Sequence, residues 1–135
     1  MSYNSSLRYK NSQSLMKQCG ETGCTFLCLL SIAEETIEKP IDFFDAYNSC
    51  CKYLEKDFTV KDNLKILNIL TGKNWLRKET DCIDRTLKDN EFSIAIYYNP
   101  RTGRHHYRRR SFDTLQDSIT VKEGTIEKYY IYEYY

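Results

Sequence analysis

The stretch QCGETGCTFLCLL, residues 18–30, decides how this chain folds. It sets out a glutamine, a glycine-bounded turn at 20–23, a cysteine at a helix start and a dense apolar run. Thr22 reads as the N-cap. From Cys24 the spacing predicts a helix to about Glu38. Phe26, Leu27, Leu29, Leu30, Ala33 and Ile37 form a wide apolar face, and Glu34, Glu35 and Glu38 mark the wet side. Apolar residues this dense predict a central helix, covered by the rest of the domain. Pro40 ends it. A thiol in such a first turn sits at the positive end of the helix dipole, which favours the thiolate. Gln18, six residues before Cys24, can curl back and offer an amide donor where an oxyanion would form.

Working outward, residues 1–17 read as a loose arm dominated by Ser, Asn and Gln. Residues 41–54 predict a second helix with Phe43, Phe44, Tyr47, Cys50, Cys51 and Leu54 buried. Residues 61–70 predict a third, with Leu64, Leu67 and Ile69 or Leu70 inward and Gly72 as its stop. Residues 75–78 read as a short strand and 81–89 as a short helix around Ile83 and Leu87. The character then changes. FSIAIYY, residues 92–98, is β-branched and aromatic and reads as a strand. A turn at 99–103 leads to a returning strand at 105–112, and 119–122 with 126–134 reads as a strand pair turning at Gly124. Helices first and an antiparallel sheet after them make an α+β pattern.

With 135 residues, one domain over 1–135 is expected, long enough to bury a core without disulfides. Lys+Arg 20 against Asp+Glu 19 leaves a net charge of +1, so no global field draws the chain to nucleic acid or to a membrane. No segment approaches the roughly 20 apolar residues that cross a bilayer. The N-terminal residues are polar and lack the apolar core of a signal peptide. These features point to the cytoplasm, where the six cysteines stay reduced.

Cys24 is the candidate nucleophile, whereas Cys28, one turn later, reads as a buried small hydrophobe. The chain has only two candidate imidazole bases, His105 and His106. Neighbouring strand residues point to opposite faces, so at most one of them can face Cys24. Cys19, Cys24 and Cys28 are spaced C-x4-C-x3-C and no C-x2-C pair occurs, which argues against a structural zinc site. Arg101, Arg104, Arg108, Arg109 and Arg110, with Tyr97, Tyr98 and Tyr107, could touch a single-stranded nucleic acid. The favoured reading is a charged edge strand that resists aggregation. The tail YYIYEYY reads as a sheet edge, and secondarily as a self-association surface.

Q-C-G-E-T-G-C, followed by an apolar helix and later by a strand opening with His-aromatic, resembles the papain-like cysteine peptidases. FDTLQDSITVKEGTIEKYYIY looks like the tail of compact phage-type relatives of the double-glycine leader peptidases. The chain is also similar to an uncharacterised family of small proteins carried on phage and plasmid genomes. The resemblance covers roughly residues 13–132. It implies a papain-like fold, with the helix that starts at Cys24 packed on a C-terminal antiparallel sheet. It implies a peptidase or amidase in which Cys24 is the nucleophile, His106 the base and Gln18 the oxyanion donor. Asp113 matches the carboxylate or amide that orients the histidine. Asp113 follows His106 by seven residues, ~23 Å along a straight strand, and no Gly, Asn or Pro near Arg109 and Arg110 favours a reversal. No cofactor and no metal are implied, and a peptide or protein is the expected partner. The contrasting reading is a non-catalytic accessory protein that keeps the fold and binds protein or nucleic acid.

Overall fold

The computed structural model describes residues 23–109 and 124–135. Among these, three α-helices precede a four-stranded antiparallel sheet, an α+β arrangement. The helices are α1 (Cys24–Ile37), α2 (Phe43–Cys50) and α3 (Asn63–Thr71), with a 3-10 turn at Cys51–Tyr53. The strands are β1 (Trp75–Thr80), β2 (Glu91–Asn99), β3 (Arg104–Arg108) and β4 (Thr125–Tyr134), in the order β1-β4-β2-β3. No helix among the described residues is long and apolar enough to cross a membrane.

Helix α1 is the centre of the core, as its apolar density requires. Phe26, Leu29, Leu30, Ile32 and Ala33 are fully buried. Phe26, Leu29, Leu30 and Ile32 share one core cluster with Phe43 and Ala46 of α2, Ile66 and Leu67 of α3, and Trp75, Ile94 and Tyr132 of the sheet. The N-cap is Gly23 rather than Thr22, and it offers no side-chain oxygen. Glu38 closes the helix in the left-handed region, at φ 57°. Glu34 is a correction: it is buried rather than wet, and its Oε1 accepts the Ile41 N–H at 3.3 Å. Burial there is tolerable because the carboxylate captures a backbone donor where the chain leaves the helix.

Helix α2 is shorter than expected and Cys51 is exposed, because the 3-10 turn rotates it away from the core while Cys50 stays buried. Asp42 and Asp62 cap α2 and α3, accepting from Asp45 N and Lys65 N. Gly72 closes α3 at φ 72°, where only glycine is unstrained, and donates to Asn68 O at 2.7 Å. Between α2 and α3 the backbone at Phe58 takes φ 69°. A bulky residue rarely holds that conformation. Its ring stacks on Tyr47 at 5.4 Å and Phe43 at 6.0 Å, which offsets the cost.

Residues 81–89 form no helix. Arg85 instead makes a bidentate pair with Glu91 at 2.8 and 2.7 Å, and Glu91 also accepts from Lys88 N. Three charge-assisted bonds to one buried carboxylate outweigh a short helix of indifferent propensity. The Arg85 bonds, then the Lys88 N–H, pull Glu91 from its ordinary 4.5 to about 2. A lowered carboxylate pKa contributes stability above the unfolded value, and that contribution is lost as pH falls through the folded value. The unfolding midpoint in urea should therefore drop between about pH 4.5 and pH 2. Glu91→Gln should be less stable at pH 7 and show a shallower acid decline. An acid decline identical in the two proteins would show that the pair does not form.

The sheet brings two further corrections. The tyrosine-rich tail is not an edge. Strand β4 pairs with β1 on one side and β2 on the other, and Tyr132 is fully buried. Its aromatic density is core density, with Asn63 Nδ2 donating to the Tyr132 hydroxyl at 2.6 Å. Strand β3, by contrast, is an edge strand in the sheet order, as its charge suggests. Arg109, counted in the exposed basic run, is buried, and its Nη1 donates to Glu35 Oε2 at 2.9 Å and Ser31 Oγ at 3.2 Å. The expected strand 119–122 and residues 110–112 lie outside the described residues.

Candidate active site

The outer edge of β3 faces the start of α1 through one residue. The Tyr107 N–H donates to Cys24 Sγ at 3.4 Å, and Cys28 Sγ–H donates to the Tyr107 carbonyl, also at 3.4 Å. The two thiols sit one helical turn apart, so they meet the two polar groups of a single peptide-bearing residue. Their chemistry diverges as a result. The N–H at Cys24 favours a negative sulfur. Burial pushes the Cys28 thiol far above its ordinary range, reinforced by the neighbouring Cys24 and opposed by Arg109. Cys28 is thus held protonated as a donor, in keeping with its expected structural role.

Cys24 is itself nearly buried, at 5 % exposure, yet it opens on a cavity of about 620 Å³. His105, Tyr107, Tyr130, Asn63 and Lys61 also line that cavity. The loop after α2 delivers Thr59, Val60 and Lys61 to it, fixed by the Lys61 N–H to Tyr53 O bond at 2.8 Å. A larger cavity, about 1030 Å³, opens on the other face of the sheet among Arg85, Ser93, Tyr97, Arg108 and Tyr129. Its described lining contains no thiol or imidazole, so the chemistry belongs to the smaller one.

The two histidines approach Cys24 differently. His106 immediately precedes the residue whose N–H meets the sulfur. Bond geometry then sets its Cα within about 6 Å of Cys24 Sγ. His106 is buried, and strand alternation directs its side chain to the face that carries its partner Tyr97, opposite the helix-covered face, so the expected base points away from the Cys24 cavity. His105 lies on the helix-covered face and lines the Cys24 cavity. Its ring stacks on Tyr98 at 4.8 Å and its Nε2 meets Glu127 at 3.3 Å. Gln18 and Asp113 lie outside the described residues, as does Cys19.

Cys24, Cys28, Cys50, Cys51 and Cys82 form no disulfide among the described residues. Among the described residues no three His, Cys, Asp or Glu side chains gather to hold a metal. The basic run does not form one stripe: Arg104 is exposed, Arg108 half-buried, and Arg109 turns into the protein against α1. Tyr107, Lys61 and Arg77 were not legible as site residues. Only the His-aromatic pair hinted at Tyr107, while Lys61 and Arg77 reach the cavity from segments whose sequence carries no motif. No protein-family model, curated protein or solved structure matches this chain.

Proposed function

We propose that this protein is a cysteine hydrolase of papain-like type, a peptidase or amidase acting through Cys24. One observation carries the reading: a first-turn helix thiol accepts a backbone N–H from the residue after His106, at the mouth of a cavity. Both the helix start and that N–H stabilise a thiolate, the form that attacks a carbonyl. His105, the imidazole that lines the Cys24 cavity, takes the proton from the thiol and returns it to the leaving amine. A thioester forms at Cys24 as the carbon–nitrogen bond breaks, and water then releases the acid. On the resemblance, Gln18 joins the Cys24 backbone N–H as an oxyanion donor, and the enzyme works as a thiol–imidazole dyad. His105 lines the cavity with Cys24 and its Nε2 meets Glu127 at 3.3 Å, as an oriented base requires, whereas His106, the base the resemblance names, is directed to the other face of the sheet.

The test is the rate of Cys24 alkylation by iodoacetamide across pH, mapped by mass spectrometry. The expected thiol titrates well below the ordinary ~8.5. His105→Ala should move the titration back up and slow alkylation near neutrality by about tenfold or more, with His106→Ala close to the parent. A slow thiol indifferent to both histidines would overturn the hydrolase. The near-burial of Cys24 would then favour the second reading, a binding protein on the same fold.

A further inference from the structure

The lining of the Cys24 cavity has a one-sided charge. Lys61, Arg77 and Arg104 contribute cations and His105 an imidazole. Among the described residues that line it there is no carboxylate. Two acids lie close by without lining the cavity: Glu55 is 4.0 Å from Lys61, and Glu127 is 3.3 Å from His105. Arg77 is braced over the Tyr130 ring at 4.4 Å, which holds a planar fork of donors at the cavity wall. These cations come from the loop before α3, from β1 and from the start of β3, so only the fold assembles them. The chain as a whole is nearly neutral, which makes the local field a property of this cavity.

We infer that the cavity selects substrates bearing a carboxylate beside the scissile amide, as in a peptide with an acidic residue next to the cleaved bond. This rests on Cys24 being the nucleophile. A thiol attacks carbonyl carbon, and nucleic acid presents phosphodiesters, so an acidic peptide fits the cavity better than a polynucleotide. A volume of about 620 Å³ suits one or two side chains. A cleft lined by one sign of charge raises the local concentration of an opposite-sign ligand by about 10-fold or more.

Iodoacetate and iodoacetamide differ in whether they carry a carboxylate, and they test this without a known substrate. Their alkylation rates would be measured at Cys24 by mass mapping, with exposed Cys51 of the same chain as reference. The iodoacetate-to-iodoacetamide ratio should be about tenfold higher at Cys24 than at Cys51. It should fall towards the Cys51 value in Arg77→Gln with Arg104→Gln, and also on raising salt in the parent protein. The salt arm stands even where the double variant fails to fold. Triglutamate should protect Cys24 at concentrations where a short DNA oligonucleotide does not. A fast Cys24 with no preference for iodoacetate would overturn this inference and leave the hydrolase intact. A Cys24 slow to both reagents would overturn the nucleophile, and the substrate assignment with it. Protection by the oligonucleotide alone would assign the cavity to nucleic acid.

Discussion

Arg109→Ala is expected to lower the unfolding free energy by about 3–5 kcal/mol. The guanidinium is buried and donates to Glu35 and Ser31 on α1, with the Phe92 ring 5.5 Å away. Truncating it leaves the Glu35 carboxylate, whose side chain is 20 % exposed, without its buried partner. The loss is larger than for a surface pair, worth about 0–1 kcal/mol, because water reaches only one member. Glu35→Ala combined with Arg109→Ala should cost less than the sum of the single changes, with a coupling of about 1–3 kcal/mol. Urea unfolding of the four proteins measures this. A loss under 1 kcal/mol for Arg109→Ala would show that the pair is open in solution. There is a functional corollary. Arg109 follows Tyr107 by two residues and ties β3 to α1, so loosening it should also loosen the contact between Tyr107 N–H and Cys24. Iodoacetamide reactivity at Cys24 should then move towards that of exposed Cys51 before global unfolding.

Phe26→Ala should cost about 3–5 kcal/mol. Phe26 is fully buried two residues after Cys24 and meets Phe43 edge to face at 5.8 Å. Its removal strips a large apolar side chain from the junction of α1 and α2 and leaves a cavity the neighbours fill only in part. Phe26→Leu retains most of the volume and should recover more than half of the loss. Thermal or urea midpoints distinguish the two. Equal stability of Phe26→Ala and the parent would place Phe26 outside the core and withdraw α1 as the central helix.

These predictions show where sequence reading succeeds. Helix α1 was legible because its signals are local: a glycine before Cys24, an uninterrupted apolar run and a proline just past its end. Strand β2 was legible from FSIAIYY, and α3 from Leu64, Leu67 and Gly72. The misreadings have a common cause. Glu34 looked solvated because its type is usually exposed, yet its carboxylate is used by the Ile41 N–H. Residues 81–89 looked helical, but Glu91, beyond that window, gathers Arg85 and the Lys88 N–H. The tail looked like an edge because strand order is not written in a strand's own residues. The Arg101–Arg110 run looked like one charged surface because alternation alone cannot say which member meets an acid from a distant helix.

By itself the sequence determined the α+β class, the helix that starts at Cys24, the shortlist of two histidines and the reading of Cys28 as structural. Periodicity, capping and residue type act over a few bonds, and those quantities depend on nothing else. The tertiary structure alone decided that β4 is interior, that Tyr107 serves both thiols through one residue, and that Arg109 is spent on α1. It alone gathered Lys61, Arg77 and Arg104 around Cys24. Such choices depend on which segments become neighbours, and neighbourhood across 40 to 80 residues is set by burying the shared core, not by any local pattern.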